Sequence, residues 1–82
     1  MKFAKLFERD GQQLLVLLTY FGDEDETHVR LITEYASGIR TEKSLIYSGD
    51  TQTEDANNAL ESFTEEKAFE IIEPLTRLVG GV

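Results

Sequence analysis

Four consecutive carboxylates, Asp23-Glu24-Asp25-Glu26, form the densest group of oxygen ligands in the chain. Hard cations such as Ca²⁺ and Mg²⁺ are held by oxygens of this kind. The spacing does not match a calcium-binding loop, because no glycine follows at the required turn and no distal glutamate closes the loop. The run therefore reads as a solvated loop or as an acidic finger for a basic partner, and no metal is assigned to it. His28, the one histidine, opens a β-rich segment with no nucleophile or ligand pattern around it, so it receives no catalytic role. A second acidic set, Glu66, Glu70 and Glu73, recurs at i, i+4 and i+7 with no base at those positions. On a helix this places carboxylates about 5 to 6 Å apart along one ridge, comparable to successive phosphates of a nucleic-acid strand. The plainer alternative is a solvated helix face.

Composition narrows the chemistry further. The chain has 82 residues, no cysteine, and 16 acids against 8 bases, for a net charge of −8. Thiolate metal sites, disulfides and cysteine nucleophiles are excluded. Affinity for nucleic acid comes mainly from Lys and Arg on phosphates, so direct nucleic-acid binding is not expected, nor is binding to an anionic membrane. A basic protein surface is the electrostatic default for a partner. No glycine-rich phosphate loop, nucleophile elbow or HExxH pattern occurs, so the chain reads as non-enzymatic and without cofactor. The longest apolar stretch, Leu14 to Leu18, is far shorter than the roughly 20 residues of a membrane helix. Residues 1–9 lack the apolar core of a secretory signal, and a cytoplasmic location is expected.

The elements that position these residues change period near residue 48. Lys2 to Arg9 and Gln12 to Phe21 are β-rich and flank Asp10-Gly11, the turn pair that tolerates two successive positive φ angles. Thr27 to Ala36 and Ile39 to Tyr47 follow, joined by Ser37-Gly38. Beyond Ser48-Gly49-Asp50 the apolar spacing becomes helical, with Ala56, Ala59, Leu60 and Phe63 on one stripe, and Thr51 with Glu54 as a capping box. Thr64 reads as the N-cap of a second helix, with Glu65 and Glu66 in its first turn and Ala68, Phe69, Ile72 and Leu75 on its buried stripe. Pro74 predicts a kink or restart, and Gly80-Gly81 the end. The expected fold is α+β over one domain, residues 1–82: a four-stranded antiparallel meander followed by two helices on one face, ββββαα.

A two-residue turn pairs Phe7 with Leu14, Leu6 with Leu15 and Ala4 with Leu17. Pairing Tyr20 with Val29 extends the sheet to the third strand. One face then collects Phe3, Phe7, Leu14, Val16, Leu18, Tyr20, Val29, Leu31, Thr33 and Tyr35, and the helices should cover it. The other collects Leu6, Leu15, Leu17 and Ile32, where a one-sided sheet should be polar. Either the sheet curls or the segment Leu75 to Val82 wraps over this second apolar set, or the set is an interface, with a homodimer as the favoured form.

Residues 48–82 carry eight acids and two bases, so −6 of the −8 lies in the helical part. In length, charge and compactness the chain resembles the small acidic inhibitors encoded by phages and mobile elements, of the anti-CRISPR and DNA-mimic type. That resemblance implies an inhibitor that occludes a basic, nucleic-acid-binding surface through Glu66, Glu70, Glu73 and Asp23 to Glu26. The alternatives are a homo-oligomeric structural or adaptor domain built on Leu6, Leu15, Leu17 and Ile32, and a toxin-immunity protein.

Overall fold

The computed structural model describes residues 3–35 and 37–80. Four strands come first, β1 (Ala4–Arg9), β2 (Gln12–Phe21), β3 (Glu26–Glu34) and β4 (Arg40–Ser48). Two helices follow, α1 (Gln52–Ser62) and α2 (Glu65–Gly80). The strands form one antiparallel sheet in the order β1-β2-β3-β4, so the fold is the expected α+β meander with both helices on one side. The expected ends at Lys2, Ala36 and Gly81 fall outside the described residues, as does Val82.

Asp10 and Gly11 take φ of 52° and 79°, as a two-residue hairpin turn matched to strand twist requires. The expected β1–β2 register follows, with Phe7 on Leu14 and Ala4 on Leu17. The β2–β3 register differs: Leu18, not Tyr20, pairs with Val29, and Tyr20 pairs with Thr27. The cause is a tight connection. Glu26 belongs to β3, leaving residues 22–25 as the loop, closed by the Asp25 N–H on the Gly22 carbonyl at 3.3 Å with Asp25 at a φ of 52°. The slip is two residues, so every side chain keeps its face.

Leu14, Val16, Val29 and Leu31 on the helical face pack with Ala56 and Leu60 of α1 and with Ala68, Phe69 and Ile72 of α2. Lys5 of β1 donates to the carbonyl oxygens of Glu61 and Phe63 at 2.6 and 3.0 Å, capping the C-terminal turn of α1, which has no basic residue of its own. Thr64 accepts the Lys67 N–H at 3.2 Å and so caps α2 as expected. The capping box on α1 does not form: the Thr51 hydroxyl donates instead to Asp55 at 2.8 Å. Nor does α2 stop and restart at Pro74, which lies inside one continuous helix. Pro74 and Glu70 are both on the exposed side, where water can satisfy the carbonyl that the proline leaves without a donor. Beyond it the helix is held by Thr76, which shares a 2.9 Å hydrogen bond with Tyr35. That bond keeps the segment on the helical side, and up to Gly80 it continues along α2 instead of wrapping over the other face.

Candidate functional site

Two surfaces qualify, and they lie on opposite sides of the sheet. On the helical side, Glu66 and Glu70 stand exposed on α2 with no ion-pair partner among the described residues. Glu73, expected to continue their ridge, is bonded to Arg77 at 2.7 Å. An i, i+4 spacing of Glu and Arg signals that pairing in the sequence itself. Glu65 is likewise held by Arg9 at 3.1 Å, and the Arg9 guanidinium lies 4.7 Å above the Phe69 ring, fastening the start of α2 to β1.

The acidic run between β2 and β3 separates into two roles. Asp23 and Glu24 are exposed. Asp25 is structural: its carboxylate accepts from the Tyr20 hydroxyl at 3.1 Å, and its carbonyl accepts from the Gln52 amide at 2.9 Å. The Asp25 carboxylate raises the Tyr20 pKa, by its hydrogen bond first and its charge second. Gln52 is the organising residue here, buried, accepting from Thr27 at 2.8 Å and donating also to the Gly49 carbonyl at 3.2 Å. It ties the β2–β3 turn to the start of α1, and no local pattern in the sequence points to it. Beside it an open depression of about 450 Å³ is lined by Tyr20, Asp25, Gly49, Asp50, Gln52 and Thr53. Glu26 bonds His28 at 3.1 Å, and the His28 ring stacks at a tilt on Phe21 with centroids 4.4 Å apart. Among the described residues no three His, Asp or Glu side chains group so as to hold a metal ion.

Among the described residues no helix lies over the opposite face of the sheet. Leu6 is 62% and Ile46 58% exposed there, and Leu15 and Leu17 are half-buried. Ile32 is the exception at 7%, flanked across the strands by Leu15 and Glu42. Leu6, Leu15, Leu17 and Ile32 do share one face, as expected, and Ile46 joins them from β4. Next to them Arg30 grips Glu42 with two hydrogen bonds of 3.2 and 2.8 Å. This bond is the largest cause of the lowered Glu42 pKa and of the raised Arg30 pKa.

No protein-family model, curated protein or solved structure matches this chain. Among the described residues no helix is long and apolar enough to cross a membrane.

Proposed function

We propose that the protein is a non-enzymatic binding module that turns the acidic outer side of its helical layer toward a basic protein surface and occludes it against nucleic acid. The observation that carries this reading is the separation of charge. Residues 48–82 hold −6 of the net −8, and Glu66 and Glu70 project from α2 with no ion pair among the described residues. Complementary charge of this kind speeds encounter and selects partners more than it strengthens the final contact. Asp23 and Glu24 add a second exposed acidic point at the far turn, whereas Asp25, Glu26 and Glu73 are engaged within the chain.

The test is capture of a basic, nucleic-acid-binding partner by the immobilised protein, followed by competition. Reversing Glu66 and Glu70 together to Lys should weaken capture about tenfold, chiefly through slower association. Saturating duplex should displace the protein, and a ternary complex with both bound would rule out occlusion. A second reading, a homo-oligomeric structural or adaptor domain, is supported by the apolar face on the other side of the sheet.

A further inference from the structure

One row of the bare face of the sheet, the one that ends in Glu8 and Arg40, is arranged so that it complements itself. The register of the sheet lines side chains up in rows that cross the strands from β1 to β4. One row is Glu8, Gln13, Glu34, Arg40, and the next is Leu6, Leu15, Ile32, Glu42. A two-fold axis parallel to the strands, set between two such faces, lays β1 of one copy over β4 of the other and keeps each row against itself. We propose that the protein forms a homodimer through this face. Leu15 then meets Ile32 of the second copy beside the axis, and Glu8 meets Arg40 of the second copy at both ends of its row.

Four observations select a second copy as the occupant. First, charge: the face carries Glu8, Glu26, Glu34 and Glu42 against Arg30 and Arg40, while the helical segment carries −6, so copies joined here point their acidic layers apart. Second, Arg40 makes no ion pair among the described residues, although its charge reaches Glu42, and it stands at the opposite end of its row from Glu8. Third, Arg30 and Glu42 already satisfy each other, so covering this pair leaves neither of its charges without a partner, while Glu34 of the same face comes opposite Gln13 of the second copy. Fourth, area: four strands of this length give a flat footprint of about 550 Å² before side-chain relief is added, roughly two-thirds of the about 800 Å² per partner of a standard interface. A depression of about 280 Å³ spans both rows between Leu6, Gln13, Leu15, Ile32, Glu34 and Arg40, leaving room for side chains to interdigitate as packed sheets do.

The experiment is sedimentation equilibrium on charge-swapped variants at exposed positions. The wild type should be a dimer at micromolar concentration. Arg40→Glu and Glu8→Arg alone should each raise the dimer Kd about tenfold, since each sets two symmetry-related pairs of like charges together. The two combined should return it to within about threefold of wild type, because the swapped pair is again complementary. Leu15→Glu should give monomers with an unchanged circular dichroism spectrum; should that variant fail to fold, the charge series decides alone. A monomeric wild type overturns the proposal. So does a dimer indifferent to the single reversals, or a double variant as weak as either single. None of these outcomes depends on Glu66 or Glu70, so the acidic-surface reading stands or falls separately.

Discussion

The two faces of this sheet are built from neighbouring residues of the same strand and reach opposite outcomes. In the run Leu14 to Leu18, Leu14 and Val16 are fully buried under the helices, while Leu15 and Leu17, one residue away, are only half-buried on the bare side. Polar residues follow the same division. On the helical side Lys5, Arg9 and Gln52 each fasten a helix or a turn to the sheet, Gln52 to Thr27 of β3 across 25 residues of chain, and the two cations by direct bonds of 2.6 to 3.1 Å. On the bare side the one bidentate pair, Arg30 with Glu42, joins adjacent strands and holds nothing above them. Burial in an antiparallel sheet is thus decided face by face, by what the rest of the chain lays over it.

Charge insertion should separate the faces most sharply. Val16→Glu should cost about 4 kcal/mol or more and unfold the chain, because an unpaired carboxylate under α1 has no partner and no water. Leu17→Glu, on the other side, should leave a folded protein in dilute solution, read by circular dichroism and urea titration. Equal loss from both would erase the distinction. Truncation should give a smaller contrast of the same sign: about 2 to 5 kcal/mol for Leu60→Ala in the core, and under about 1 kcal/mol for Leu6→Ala, in urea-unfolding free energies.

The polar clamps should differ less. Lys5→Met removes the charged cap on the end of α1 and should cost about 1 kcal/mol, with amide exchange in residues 59–62 accelerating ahead of the strands. Glu42→Gln should cost less than about 1 kcal/mol, as expected of an ion pair this exposed. Its pH dependence has a definite sign. Because the Arg30 hydrogen bond lowers the Glu42 pKa in the folded state, its contribution is present above the ordinary value of 4.5 and is lost as pH falls below it through the lowered one. An acid titration of melting temperature should therefore lose a small increment in the wild type that Glu42→Gln lacks.

Much of the fold is legible in local pattern. Asp10-Gly11 announces its turn because few other pairs accept two positive φ angles, and alternation on either side sets the β1–β2 register. The shift to helical spacing marks α1 and α2 because a period of 3.6 residues puts their apolar side chains on one stripe. The β2–β3 register lies two residues from the one that the strand pattern predicts, since a loop of Gly, Asp and Glu offers no single preferred length. Along the acidic ridge Glu73 differs from Glu66 and Glu70 in being paired, and Arg77 four residues on is the signal of that pairing in the sequence. Lys5 and Gln52 carry no such signal, because the carbonyls and hydroxyl they satisfy come from segments remote in sequence.

Sequence alone settled the order of elements, the two faces of the sheet and the concentration of acid in the helical half. These depend on periods of two and 3.6 residues and on side-chain charge, which every residue carries wherever it is placed. Tertiary structure alone decided that Glu65 is taken up by Arg9 of β1, that α2 runs on past Pro74 to the Tyr35–Thr76 bond, and that Leu6, Leu15, Leu17 and Ile46 are left without a cover among the described residues. Those outcomes rest on distances between segments far apart in sequence, and burial and ion pairing fall off within a few ångströms, so no local pattern encodes them.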